Sequence, residues 1–213
     1  VISFVNTIIA ASGGAFSWLI LEYFSNKKLS LLGLLSGVLS GLVTITPAAG
    51  FVNYLSAYII SMIGGIACYF VVNSIKEKLR YNDTLDAFGI HGVGGVIGAI
   101  LTGVFQSHKV NKDILDGLIY TGHLHTIWIQ CIAVVVVVVY SIIITFIIGK
   151  TLSIFMSLAT TVEEDMTGLD QLVHGEKAYF YGELNKFHGV IKMEPIAATM
   201  PDMKKLRKRG QTR

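Results

Sequence analysis

Charged side chains are scarce in this protein, since Asp, Glu, Lys and Arg together make up 15% of its 213 residues. A typical soluble domain carries about a quarter. Three long stretches, residues 29–75, 87–108 and 117–149, contain no charged residue at all. Because a membrane-spanning helix needs about 20 predominantly apolar residues, this pattern excludes an ordinary soluble domain and predicts an all-α polytopic membrane protein.

Cysteine is rare, and apolar–polar alternation is missing. The two cysteines, Cys68 and Cys131, lie in separate apolar runs without a CxxC motif, so they predict no disulfide framework. An outer-membrane barrel requires alternating strands, and the apolar run at residues 131–149 does not alternate. His174 and Glu176 are too few to predict a metal site, and neither a cofactor nor an enzymatic activity is predicted.

The apolar stretches divide into five predicted membrane spans. The uncharged stretch after Lys28 is too long for one helix, and Pro47 and Gly50 break it, because proline removes a backbone donor and glycine permits a turn. The last span has more than 30 residues, so it is predicted to be strongly tilted or to continue as helix beyond the bilayer. The predicted spans are Val1–Leu21, Leu29–Ile45, Asn53–Ile75, Leu85–Phe105 and Leu124–Met156.

Basic residues in the short loops predict the orientation, because the cytoplasmic loops of membrane proteins are enriched in Lys and Arg. Lys27 and Lys28 follow the first span, and Lys76, Lys78 and Arg80 follow the third. The opposite loops either contain no basic residue or balance it with aspartates. The C-terminal tail is therefore predicted to be cytoplasmic, in a multi-pass protein of the plasma membrane whose first residues face outside.

His91 is the only histidine placed well inside a predicted span. Ionisable residues at membrane depth are costly and usually face a bundle interior or a transport pathway. A neutral imidazole offers one hydrogen-bond donor and one acceptor, and it can also take up a proton. His91 therefore either binds a neighbouring helix or lines a pore for a small polar species. Asp86 lies about 140° from it around an ideal helix, so the two are not predicted to act as an acid–base pair.

Asp86 and Thr46 stand at the ends of predicted spans. Asp86 lies near the start of the fourth span, where a carboxylate can cap the helix or tie it to a neighbour, and we predict a structural role for it. Thr46 precedes Pro47, where backbone groups freed by the break must be satisfied internally or line a cavity. The hydroxyl of Thr46 could therefore satisfy those groups or face a conduit.

Three separated motifs resemble those of one known family. They are GLVTITPAAGFV at Gly41–Val52, DAFGIHGVGGVIGAILTGVF at Asp86–Phe105 and GLDQLVHGEKAY at Gly168–Tyr179, and the opening FVNT at Phe4–Thr7 matches as well. In this order and spacing they resemble the C-terminal half of the ammonium transporter, methylammonium permease and Rhesus family, on the ammonium transporter side. The resemblance covers about residues 1–179 and does not extend to residues 180–213.

The resemblance implies a fold of eleven helices, with two inverted five-helix repeats and a long tilted last helix, assembled as a homotrimer. The five spans would be helices seven to eleven, that is, the second repeat without its first helix, followed by the last helix. The N-terminal half of the family fold would lie outside this sequence. The implied activity is transmembrane transport of ammonium or ammonia, and of methylammonium, through a hydrophobic pore in each subunit.

The resemblance also implies roles for individual residues. His91 matches one of two pore histidines, and its partner would lie in the absent half. Thr46 matches a pore-facing threonine, while Leu39 and Ala87 match apolar pore lining. Asp86 matches an aspartate with a structural role near the pore. The GLDQLVHGEKAY motif resembles a cytoplasmic segment that docks on the neighbouring subunit, where a regulatory protein could act.

Three segments are predicted along the chain: a membrane domain at 1–156, a cytoplasmic regulatory tail at 157–181 and a basic C-terminal extension at 182–213. In the tail, Thr161 and Glu164 have capping-box spacing at the start of a short predicted helix. The extension could contact anionic lipid or stay solvated and unstructured, and no nucleic-acid partner is predicted. The alternative functions are an ammonium sensor that signals through the tail and a haem-binding membrane protein that uses His91 as a ligand.

Overall fold

The computed structural model describes residues 1–79, 81, 83–161, 164 and 168–175. This part of the chain is helical and contains no strand, which confirms the predicted all-α fold class. The predicted extension at 182–213 lies outside the described residues. The helices are α1 (Ile2–Asn26), α2 (Leu31–Ile45), α3 (Tyr54–Leu79), α4 (Phe88–Phe105), α5 (Leu118–Thr121), α6 (His125–Phe155) and α7 (Leu169–His174).

Four of these helices are long and apolar enough to cross a membrane, namely α1, α3, α4 and α6, with 25, 26, 18 and 31 residues. The second predicted span is shorter than expected. Helix α2 has 15 residues, about 22 Å of helix, against a hydrocarbon core of about 30 Å. It begins at Leu31 rather than Leu29 because Ser30 is its N-cap, whose hydroxyl accepts a hydrogen bond from the Gly33 amide at 2.9 Å.

Glycines bring α1 and α2 into close backbone contact. Gly14 on α1 lies against Gly37 and Gly41 on α2, and a Cβ added to Gly41 would collide with the carbonyl oxygen of Ala10. Small residues permit such an approach within a membrane, where van der Waals packing rather than the hydrophobic effect holds helices together. Helices α1 and α2 therefore form a tightly packed pair, and α3 and α4 pack against it.

Buried polar side chains fix both ends of this pair. Where α1 meets α2, the Glu22 carboxylate accepts hydrogen bonds from the Ser30 hydroxyl at 2.6 Å and from the Ser30 amide at 3.3 Å. At the other end, the Asn6 side-chain amide donates to the carbonyls of Ala49 and Val52, both at 2.8 Å. Asn6 is fully buried. Because buried polar groups require such partners, these bonds hold the loop between α2 and α3 close to the start of α1.

Helix α4 packs against α2 through a second close backbone contact. A Cβ added to Gly98 would collide with the carbonyl oxygen of Thr44 and lie 3.0 Å from Cγ of Pro47. A Cβ added to Gly94, about one turn earlier, would lie 3.3 Å from the Thr44 hydroxyl and from the sulfur of Cys68. These glycines set how closely α4 approaches the C-terminal end of α2.

The chain divides into two compact units, Val1–Ile148 and Gly149–Arg213. The predicted capping box in the second unit is confirmed. The Thr161 amide donates to the Glu164 carboxylate at 2.7 Å, and the Glu164 amide donates to the Thr161 hydroxyl at 3.3 Å. The segment boundaries predicted after residues 156 and 181 stay predictions.

We predict that Gly98→Ala destabilises the bundle, because the new methyl group would meet the backbone of α2, which cannot move aside as the end of a side chain can. We expect the free energy of unfolding to fall by about 1–3 kcal/mol, measured as a lower Tm of the purified full-length protein in detergent. Gly95→Ala is the matched control, since nothing lies within 4 Å of its Cβ position and alanine favours helix. Equal Tm values for the two variants would contradict the proposed α2–α4 contact.

Candidate functional site

His91 lies in a widened, π-helical turn at the start of α4, Phe88–Gly92. Such turns are rare in proteins, and those that occur often lie at functional sites. The carboxylate of Asp83 precedes the turn and accepts hydrogen bonds from three backbone amides, those of Ala87 at 2.8 Å, Phe88 at 3.0 Å and Gly89 at 3.3 Å. Because the first amides of a helix have no partner within it, Asp83 satisfies the donors that begin the turn carrying His91.

Asp86 joins α4 to α3. Its carboxylate pairs with the ammonium group of Lys76 at 2.6 Å, and the two side chains are 26% and 28% exposed. The backbone of Asp86 has a φ of +55°, a conformation that few residues other than glycine adopt. The sequence left two roles open for Asp86, a helix cap and a tie to a neighbouring helix. In the structure Asp86 forms the tie to α3, and Asp83 provides the cap. Nothing in the sequence distinguishes Asp83 from its polar neighbours as the capping residue.

A cleft of about 490 Å³ opens beside His91, between the C-terminal end of α2 and the first turns of α4. It brings together His91 and Thr46, two of the residues that the family resemblance implies line a pore, and their pore role stays a prediction. Thr46 donates its hydroxyl hydrogen to the carbonyl of Leu42 at 2.8 Å, and both Thr46 and His91 are exposed. The walls are otherwise apolar. The cleft is lined by Leu42, Val43, Thr46, Pro47, His91 and Gly95.

Leu39 and Ala87 do not belong to this lining. Both side chains are exposed, Leu39 at 38%. Leu39 lies three residues before Leu42 on α2, about one turn earlier, and Ala87 directly precedes α4, four residues before His91. Their assignment as pore lining stays a prediction.

Gly95 is a site residue that the sequence did not reveal. Its neighbours Gly94 and Gly98 pack against other side chains or backbone, whereas nothing lies within 4 Å of a Cβ built on Gly95. A glycine in a GxxxG-rich helix is most simply explained by helix packing. The sequence therefore does not distinguish Gly95 from Gly94 and Gly98. The spacing of four residues between Gly95 and His91 is the signal that would have placed both on one face.

The described residues hold no group of three or more His, Cys, Asp or Glu side chains that could bind a metal ion together. The cleft instead combines apolar walls with one imidazole and one hydroxyl. An imidazole can donate and accept hydrogen bonds and exchange a proton. The arrangement therefore suits binding of a small polar molecule or ion.

Comparison with known proteins identifies the family of this chain. A sequence model described as "Ammonium Transporter Family" matches residues 2–179. The chain belongs to the ammonium transporter family. It is 48% identical over 177 residues to the ammonium transporter of Bacillus subtilis, an alignment that covers 83% of this chain and 44% of that protein.

Solved structures of the family share this fold. The crystal structure of Saccharomyces cerevisiae Mep2 matches with a TM-score of 0.70 at 35% identity, over 76% of this chain and 38% of that one. A structure named "Sensor Amt Protein" matches with a TM-score of 0.69 at 30% identity, over 79% of this chain and 40% of that one. This ammonium transporter family chain thus spans less than half the length of these relatives.

We predict that Asp83→Ala loosens the turn that carries His91, because three backbone amides lose their acceptor. Loss of a helix cap costs about 0.5–2 kcal/mol. Hydrogen exchange followed by mass spectrometry on the full-length protein should show faster exchange in a peptide containing Ala87–Gly89. Asp113→Ala, in an exposed loop, is the control that should leave this peptide unchanged. Unchanged exchange in Asp83→Ala would exclude the capping role.

Proposed function

We propose that this chain forms part of an integral membrane transporter for ammonium or ammonia, and for methylammonium, and that the cleft beside His91 is one wall of its conduit. Membership of the ammonium transporter family supports the substrate. The single observation that carries the site is the placement of His91 and Thr46 in one otherwise apolar cleft. The function is movement of a substrate across a membrane rather than enzymatic conversion of it.

The opposite wall of the conduit is proposed to come from the part of the family fold that lies outside this chain. The chain covers 44% of its Bacillus subtilis relative, and His91 and Thr46 are both exposed on the open cleft. The second pore histidine implied by the family resemblance would lie on that wall and face His91. The correspondence of the helices to positions seven to eleven of the family fold, and assembly as a homotrimer, belong to the same proposal.

Selectivity is the physical problem that such a conduit has to solve. Ammonium resembles potassium in size, so a filter based on ion size separates the two poorly. Ammonium can give up a proton, and potassium cannot. A narrow apolar pore excludes hydrated ions, while an imidazole can hydrogen-bond the nitrogen and accept the proton. In this proposal His91 binds the conducted nitrogen and takes part in the proton transfer.

The proposed orientation is supported by the charges at one end of the bundle. Lys27 and Lys28 follow α1, and Lys76 and Lys78 lie in the last turn of α3. These ends lie on the same side, because α1 and α3 run in the same direction in consecutive antiparallel helices. Because basic loops stay inside, we propose that this side faces the cytoplasm. A cytoplasmic tail, and location in the plasma membrane in contact with its lipid, are part of the same proposal.

A sensor function is the second candidate, supported by the likeness to the structure named "Sensor Amt Protein". Transport has the broader support, because relatives from Bacillus subtilis, Aquifex aeolicus and Saccharomyces cerevisiae are all named ammonium transporters. Residues 162–163, 165–167 and 176–181 of the tail through which a sensor would act lie outside the described residues. The two functions are compatible, and the cleft supports transport directly.

The first functional prediction concerns His91. A chimera in which residues 2–179 replace the matching segment of the Bacillus subtilis ammonium transporter provides the intact conduit. We expect His91→Ala to lower ammonium current and to reduce selectivity for ammonium over potassium, because the proton acceptor is lost. His108→Ala, in the loop between α4 and α5, is the control. Unchanged current together with unchanged selectivity in His91→Ala would exclude the role in proton transfer.

The second functional prediction concerns the width of the cleft. Gly95→Leu should fold normally, because the position beside His91 is open, yet it should narrow the conduit. We expect uptake of methylammonium to fall further than uptake of ammonium, since the larger cation needs more room. Gly149→Leu, whose Cβ position is also open, is the matched control. Equal loss for both substrates, or none, would mean that Gly95 does not set the width.

A further inference from the structure

Two widened helical turns face each other where α3 and α4 meet. The π-helical turn of α3 is Val71–Ile75, and that of α4 is Phe88–Gly92, which carries His91. A Cβ added to Gly89 would lie 2.8 Å from Cγ2 of Val72, so the two turns touch without room for a side chain between them. The turn that carries His91 therefore rests directly on α3.

One ion pair closes this contact at the end of the bundle that we place in the cytoplasm. Lys76 directly follows the turn in α3, and Asp86 precedes the turn in α4 by two residues. Their charged groups are 2.6 Å apart. The carbonyl of Asp86 also accepts a hydrogen bond from the amide of Ile90 at 2.8 Å. The residue that binds Lys76 is thus hydrogen-bonded to the residue immediately before His91.

The backbone conformation of Asp86 indicates what the ion pair with Lys76 does. Its φ of +55° is unfavourable for a residue with a side chain, and such conformations persist only where surrounding contacts enforce them. The ion pair is one such contact. A partly exposed ion pair contributes little to overall stability, so its main consequence is local, namely the direction in which the following turn leaves the loop.

We propose that Lys76 is a positioning residue for His91, and that it acts through Asp86 by holding the widened turn of α4 against α3. Lys76 does not line the cleft and does not touch the substrate. This proposal rests on the proposed function only where transport is the measurement. The orientation of His91 can be measured without it.

The test uses the chimera carrying residues 2–179, with Lys76→Met and Asp86→Asn as the two variants that break the pair. Asparagine tolerates a positive φ better than most residues, so Asp86→Asn removes the charge and keeps the backbone. Lys78→Met is the matched control, because it removes an exposed charge from the same turn. Each variant is also made in the His91→Ala background, and transport is compared at equal abundance in the membrane.

The first measurement is the rate at which diethylpyrocarbonate modifies His91, followed by mass spectrometry, with His108 as the internal reference. We expect both pair-breaking variants to change the modification rate of His91 by about two- to tenfold. The modification rate of His108 should stay unchanged in these variants, and the rate of His91 should stay unchanged in the Lys78→Met control. An unchanged rate at His91 in both variants, or an equal change in Lys78→Met, would overturn the proposal.

The second measurement is a double-mutant cycle on transport. We expect Lys76→Met to slow ammonium transport when His91 is present and to have no further effect in His91→Ala. An equal slowing in both backgrounds would show that Lys76 acts independently of His91 and would overturn the proposal. If His91→Ala alone leaves transport and selectivity unchanged, the proposed function fails, and the modification rate of His91 still decides whether Lys76 positions it.

Discussion

Close contact between helix backbones is the constraint on which the rest of the structure depends. Within a membrane, helices gain little from apolar burial against one another, so they associate by packing. Gly14 and Gly41 let α1 and α2 meet at their backbones, and Gly98 does the same for α2 and α4. This second contact holds the C-terminal end of α2 beside α4, and it thereby brings Thr46 and His91 into one cleft.

Polar groups then fix the ends of helices that packing alone would leave free to slide. Asn6 holds the loop after α2, and Glu22 holds the N-cap of that helix. At the start of α4, the cap by Asp83 and the ion pair of Asp86 act within a few residues of His91. The histidine therefore lies on a turn whose N-terminal end is held by two polar contacts.

The open cleft fits a chain that spans less than half of its relatives. In the proposed conduit the described residues would supply one wall, with apolar side chains around an imidazole and a hydroxyl. The glycines of α4 have two different roles. Gly94 and Gly98 serve packing, while Gly95 leaves space beside His91. One small-residue pattern thus supports both the assembly of the bundle and the width of its proposed pore.

The sequence by itself determined the all-α class, the apolar stretches, the break at Pro47 and the position of His91 within an apolar stretch, because these depend on composition and on local backbone chemistry. Its separated motifs also pointed to the family. Only the tertiary structure decided that helix α2 has 15 residues, that Asp83 caps α4 while Asp86 binds Lys76, and that Gly95 faces the cleft. The physical reason is that caps, ion pairs and the space beside a glycine depend on how the helices and loops pack against one another, which the local sequence does not specify.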